Sequence, residues 1–447
     1  MKHPQELSSD LDEGIDRQAL SRLRGRFLQL NQGRLARALQ GLSSRQQRVL
    51  KLLPLFFHIN HPLLPGYVSG ATPAGVSGLE PEAAVLAEAR RLSRSFTYKP
   101  CHDNPPRPIH GLYLMGSLGT LAQAEQSDMD LWVCHDAHLS DTERDELRRK
   151  CLRLEAWAAS LGAEVHLYLV ESRGLVPGQR EGELSSDDCG TTRHCLLLDE
   201  FYRTAIWLAG RTPLWWLVPA CQERDYHTYT QNLLSKRLVR AEDNLDLGHL
   251  AHMPPGEFVG AGLWQLFKGV HSPHKSVLKL LLTEVYASEH PRVHCLSLAF
   301  KEAVFANQLD LDALDPYIMV YRRIEQYLKH HDQPERLELV RRSLYLKVGK
   351  KLSGLGGPCD DCWQRRMLRR LTCEWGWDDK QLAMLDSRSQ WRVAIERGEL
   401  VAELNRSYQF LNRFAHHLNA DSRAGQRDLE AWARRCLRTR AEGTAPS

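Results

Sequence analysis

The sequence predicts an α+β protein: a small mixed sheet with helices, set between an N-terminal helical segment and a larger C-terminal α-helical domain. Three observations carry this. Apolar residues between Leu11 and Phe57 recur every three or four positions, the period of a helix. From Gly111 to Val170, short apolar runs bounded by turns alternate with one well-patterned helix. After Pro219 the helical period returns and persists.

In chain order, Leu20, Leu23, Phe27 and Leu30, then Leu35, Leu39 and Leu42, mark the first helical faces. The Pro- and Gly-rich stretch His58 to Gly78 reads as a surface arm, followed by a short helix around Glu82 to Ser95. Three prolines between Cys101 and Gly111 mark a domain boundary. Leu112 to Met115 is a short strand ending in Gly116-Ser117, and Asp128 to Val133 is a second. Leu147, Cys151, Leu154, Ala158 and Leu161 form one face of a helix from Glu143 to Leu161, closed by Gly162 at a position suited to a left-handed cap. A third strand, Ala163 to Val170, sends Val165, Leu167 and Leu169 to one face and Glu164, His166 and Tyr168 to the other. Helical stripes follow at Leu263 to Phe267, Val277 to Tyr286, Pro316 to Leu328, Leu337 to Leu352, Met367 to Trp375 and Leu400 to Leu418. The division expected is a helical segment and arm over 1–100, an α/β catalytic domain over 101–220, a helical domain over 221–425 and a flexible Arg-rich tail over 426–447.

With 447 residues, 43% hydrophobic and 26% charged, the chain has the composition of an ordinary globular protein. Its 59 Lys+Arg against 55 Asp+Glu leave a net charge of only +4, which excludes wholesale binding to a nucleic-acid polymer or an anionic membrane. Any polyanion site is therefore local. The apolar run Leu52 to Phe57 contains Pro54 and falls far short of the ~20 residues that span a bilayer, so no membrane insertion is expected. The N-terminus lacks the apolar stretch of a secretory signal, and eleven cysteines without framework spacing read as reduced thiols. A cytoplasmic location is expected.

The chemistry centres on Gly116-Ser117, a ten-residue gap, then Asp128-Met129-Asp130-Leu131-Trp132-Val133. Residues two apart in a strand share a face, so Asp128 and Asp130 present two carboxylates side by side while Met129, Leu131 and Val133 point into the core. Adjacent acids repel unless a divalent cation sits between them, and hard oxygen donors suit Mg²⁺ that also binds substrate phosphates. Gly116 and Ser117 end one strand and are expected to open a short helix, whose free amides and dipole favour an anion. A two-metal site asks for a third acid, and Glu164 on the polar face of the next strand is the expected one. His166 is its rival on that face, but imidazole is a poor Mg²⁺ ligand and a structural hydrogen bond is the plainer role.

Weaker signals surround this core. Trp132 shares the carboxylate face and either stacks on a nucleotide base or packs. Lys268, Lys275 and Lys279, spaced by seven and four, suit one side of a helix pair facing phosphates, or a solvated helical face; Ser272-Pro273 reads as the start of the helix bearing Lys275. Asp187-Asp188-Cys189-Gly190 either lines the site from a loop or caps the following helix. Cys359-x-x-Cys362 with Cys373 lacks a fourth zinc ligand, and the pairs His330-His331 and His416-His417 read as exposed helix residues.

The pattern GS…SDMDLWVCHD resembles the signature of the DNA polymerase beta-type nucleotidyltransferase superfamily, and in particular the catalytic region of the class I adenylate cyclases of gamma-proteobacteria. HPLLPGY at 61–67, LYLMGS at 112–117, LEAWAASLGAEVHLYLV at 154–170, DDCGTTRHCLLLDEFYRTA at 187–205, LWQLFKGVHSPHKSVLKLLLTEVY at 263–286, RRSLYLKV at 341–348 and EWGWDDKQLAMLD at 374–386 extend the likeness over roughly residues 20–420. The gap LGTLAQAEQ departs from it, with fewer hydroxyl and small residues.

The resemblance implies a nucleotidyltransferase-type sheet, ATP as substrate, and two Mg²⁺ ions, with Mn²⁺ as a substitute. Asp128, Asp130 and Glu164 would be the catalytic and metal-binding acids, and Gly116, Ser117, Trp132, Lys268, Lys275 and Lys279 the substrate-binding residues. The ATP 3′-hydroxyl would attack the α-phosphate, giving cyclic AMP and pyrophosphate, with the helical domain closing over the nucleotide. In that family a long regulatory region follows the catalytic one; this chain ends soon after the catalytic part, so regulatory protein partners are left unassigned. Transfer of the nucleotidyl group to a protein or RNA hydroxyl, or nucleotide binding without turnover, are the alternatives.

Overall fold

The computed structural model describes residues 16–98, 107–172, 194–353, 362–387 and 390–420. The chain forms two compact units that interleave in sequence: Met1–Ser186, Leu198–Ala251 and Leu296–Leu314 make the first, and Asp187–Leu197, His252–Cys295 and Asp315–Ser447 the second. This differs from the division expected at residues 100 and 220. The N-terminal helices share a unit with the sheet, and the segment Leu296–Leu314 returns to that unit from within the helical half.

In the first unit, α1 (Arg17–Gln40) starts at Asp16, whose carboxylate accepts the Ala19 N–H at 2.5 Å, and buries Leu20, Leu23, Phe27 and Leu30. Helix α2 (Ser44–His58) opens with a reciprocal Ser43–Gln46 capping box and tolerates Pro54 in its interior. After α3 (Ala83–Leu92) come β1 (Ile109–Met115), β2 (Met129–His135), α4 (Asp141–Ser160) and β3 (Val165–Glu171). Ser140 and Glu143 box the start of α4, and Gly162, with φ +75°, follows its end in the left-handed conformation anticipated for it. Helix α5 (His194–Thr204) leads into β4 (Ile206–Gly210), a strand the sequence did not announce. Five residues between a helix and a turn are too short for alternation to show.

The sheet runs β3-β2-β1-β4. β1 pairs antiparallel with β2 and β4, whereas β2 and β3 are parallel, so the sheet is mixed as expected. Met129, Leu131, Val133, Leu112, Leu114, Val165 and Leu167 form one buried face, packed in a common core with Leu53 and Phe56 of α2 and with Leu147, Leu154 and Ala158 of α4. On the opposite face, Phe201 of α5 stacks on Trp132 at 4.6 Å and meets Tyr113 edge-on at 5.2 Å. Helix α6 (Tyr226–Ser235) and α9 (Leu296–Phe305) complete the unit. Lys301 on α9 is fully buried, but its charge is paired with Glu223 at 2.9 Å, and Glu223 also accepts the Trp215 indole N–H and the Leu250 amide.

The second unit is helical: α7 (Pro255–Lys268), α8 (Pro273–Glu289), α10 (Pro316–His330), α11 (Pro334–Val348), α12 (Trp363–Glu374), α13 (Asp379–Asp386) and α14 (Gln390–Ala420). Four of these begin with proline at the first helical position, where its missing N–H costs nothing. Helix α8 is central, buried from Leu280 to Ala287. Its Glu284 joins Glu403 of α14 around the buried Arg336 guanidinium of α11, at 2.8 Å each. No helix among the described residues is long and apolar enough to cross a membrane.

Candidate active site

The site forms where β1 ends and β2 begins. Gly116 adopts φ +92°, and a side chain there would point toward Asp130 Oδ2, 3.8 Å from the Cβ position. The helix expected after Ser117 is absent. A chain of turns takes its place, with Thr120 donating its amide and its hydroxyl to the Ser117 carbonyl at 3.1 and 2.6 Å. Gly119 explains the difference: its φ of +74° is left-handed, and its Cα lies so close to the Arg34 carbonyl that a Cβ would approach the oxygen to 2.6 Å. The dipole of a helix is therefore not available to an anion here. The Ser117 and Leu118 amides remain without an acceptor among the described residues. Ser117 and Ser127 tie the two ends of the turn segment together through their hydroxyls, 3.0 Å apart.

Asp130 lies within β2 and is only 7% exposed, while Asp128 stands half-buried just before the strand. The strand register brings Met115 opposite Asp130 on one side and His166 on the other. The Tyr168 hydroxyl donates to Asp130 Oδ1 at 3.4 Å. One ligand atom each from Asp128, Asp130 and His166 fall within 4.8 Å of one another, the group among the described residues able to hold a metal ion. Two carboxylates with one imidazole offer hard oxygen donors beside one nitrogen, a set that fits a divalent cation.

Glu164 is placed differently from the sequence expectation. The strand begins at Val165, so Glu164 stands one residue before it, its carbonyl accepting the Met129 amide at 2.9 Å. Its side chain is 69% exposed and lies 3.3 Å from His166 Nε2. His166, read from sequence as structural, is the residue the register delivers to the carboxylates. Its place on one face with Glu164 and Tyr168 makes it the rival third ligand in the sequence, set behind Glu164 there because imidazole suits Mg²⁺ poorly.

Trp132 is corrected outright. It is fully buried and its ring is stacked on Phe201, so it belongs to the core and has no face for a base. Lys268 ends α7 in the second unit, where its Nζ lies 5.3 Å from the centre of the Trp264 ring. Lys275 and Lys279, four apart on α8 and both half-buried, share a helix that starts at Ser272-Pro273 as anticipated. Asp187 to Gly190 and Cys359 lie outside the described residues. His330, His416 and His417 are exposed on helices, whereas His331, also exposed, stands just past the end of α10 as its C-cap.

Residues 19–216 match the family described as "Adenylate cyclase NT domain", and residues 253–443 match "Adenylate cyclase, class-I, second domain". The chain belongs to the class-I adenylate cyclase family. It is 40% identical over 419 residues to the adenylate cyclase of Salmonella typhimurium, covering 92% of this chain and 49% of that protein. It is 40% identical over 420 residues to that of Escherichia coli K12, with the same shares, and 37% identical over 419 residues to that of Proteus mirabilis, covering 92% of this chain and 48% of that protein. The chain thus spans about half the length of the curated relatives it matches. No solved structure matches it.

Proposed function

We propose that the protein is an adenylate cyclase that converts ATP to 3′,5′-cyclic AMP and pyrophosphate with two divalent metal ions. The observation that carries this reading is the convergence of Asp128, Asp130 and His166 within 4.8 Å, beside a Gly116-Ser117 turn with free amides. The relatives named adenylate cyclase support the choice of reaction.

In this reading the O3′ atom of ATP forms a bond to the α-phosphorus, the bond from that phosphorus to the bridging oxygen of pyrophosphate breaks, and the hydroxyl proton leaves. Mg²⁺ bound by Asp128 and Asp130 would supply positive charge that acidifies the hydroxyl and neutralises the phosphoryl oxygens. The Ser117 and Leu118 amides donate to phosphate oxygens, and Gly116 lets the backbone approach them closely. Glu164 is the proposed proton acceptor, an exposed carboxylate next to His166. Lys268, Lys275 and Lys279 are proposed to bind the β- and γ-phosphates. Closing a ring within one nucleotide depends chiefly on orientation, so these contacts act by holding the ribose over the phosphorus.

Incubation with ATP labelled at the α-phosphate, in Mg²⁺, tests the reading. Cyclic AMP as the sole nucleotide product supports it. Label transferred to a protein or RNA would make the enzyme a nucleotidyltransferase, and no pyrophosphate release at high protein concentration would leave a nucleotide-binding module.

A further inference from the structure

We propose that His166 is a direct ligand of the metal held by Asp128 and Asp130, and that the Glu164 carboxylate, in addition to accepting the proton, orients the imidazole. This rests on the metal-dependent reading above and deepens it, because it assigns the third ligand to nitrogen instead of oxygen. Three observations carry it. Asp130 and His166 are paired residues of the parallel β2–β3 ladder, so backbone hydrogen bonding holds the imidazole beside the carboxylate. A ring nitrogen of His166 and one oxygen from each aspartate already lie within 4.8 Å of one another, before any ion draws them together. Glu164 stands outside the ladder with an exposed side chain, and its Oε1 lies 3.3 Å from His166 Nε2. With the Nε2 proton donated to Glu164, Nδ1 keeps the lone pair for the ion, and a carboxylate hydrogen-bonded in this way to a metal-binding histidine fixes the ring and raises its basicity.

The consequence is selectivity among metals. Imidazole adds little for Mg²⁺ but favours first-row transition ions, so the site binds Mn²⁺ or Co²⁺ in preference to Mg²⁺. Loss of even a supporting partner costs ~10–100-fold in metal affinity, so removing the ligand itself lowers Mn²⁺ affinity by at least ~10-fold.

The test uses Mn²⁺ alone, without nucleotide, on the full chain, read by pulsed electron paramagnetic resonance and by titration calorimetry. The expected result is a nitrogen hyperfine coupling at bound Mn²⁺ that disappears in His166→Gln and persists in Glu164→Gln. His166→Gln weakens Mn²⁺ much more than Mg²⁺, and circular dichroism shows both variants folded. Mn²⁺ binding that is lost in Asp128→Asn but carries no nitrogen coupling overturns the inference and leaves the carboxylate reading standing. Binding unaffected by Asp128→Asn overturns both.

Discussion

His166 lies directly across the parallel ladder from Asp130, the carboxylate most deeply set in the site. Two residues further along the same face, Tyr168 is paired with Trp132 and turns its hydroxyl back to Asp130. The third strand thus builds one wall of the site through residues that are unremarkable in sequence. A loop in its place would hold these groups less precisely than a hydrogen-bonded ladder does.

Asp128→Asn and Asp130→Asn each remove a charge at the metal group without removing a core contact. Cyclic AMP formation should fall by orders of magnitude while circular dichroism and the unfolding midpoint stay close to those of the parent protein. Near-normal turnover in either variant would refute the assignment.

Gly116→Ala places a side chain at φ +92°, facing Asp130. The left-handed conformation should cost about 1–2 kcal/mol of stability, seen in urea unfolding. Turnover should drop more than stability does, because the turn that presents the Ser117 amide shifts.

Trp132→Ala should destabilise the first unit by about 3–5 kcal/mol, since it empties a fully buried, stacked position. The Michaelis constant for ATP per folded molecule should not change in Trp132→Phe. A large rise in that constant would restore the base-stacking role that burial removes.

Lys275→Ala should raise the Michaelis constant for ATP several-fold with a smaller effect on the maximal rate. If neither changes, Lys275 belongs to a solvated helical face and not to the phosphates.

Lys150 on α4 is 1% exposed, has no ion-pair partner among the described residues, and burial pushes its pKa down from 10.5 to about 8. The folded state thus holds this proton less tightly than the unfolded chain does. Stability is penalised below the folded pKa, and the penalty is relieved as pH rises from about 8 to 10.5. Lys150→Met should therefore be more stable than the parent at pH 7, by on the order of 2–3 kcal/mol. Paired urea titrations should show that advantage shrinking above pH 8 and gone near pH 10.5; an advantage independent of pH would mean that packing, not charge, is responsible.

The parts of this protein written into the sequence alone are those governed by neighbours a few residues apart. Alternation along β2 placed Asp128 and Asp130 apart from the apolar Met129, Leu131 and Val133, and the Ser140–Glu143 box and Gly162 bounded α4, because strand period and helix caps are local. Tertiary structure alone decided what depends on partners distant in sequence. The β2–β3 register set His166 beside Asp130, Phe201 from α5 closed over Trp132, and Gly119, set against Arg34 of α1, turned the segment after Ser117 away from a helix. It also returned Leu296–Leu314 to the first unit. Which strand lies beside which, and what covers its outer face, follow from burying apolar surface over the whole chain, and no window of local sequence contains that information.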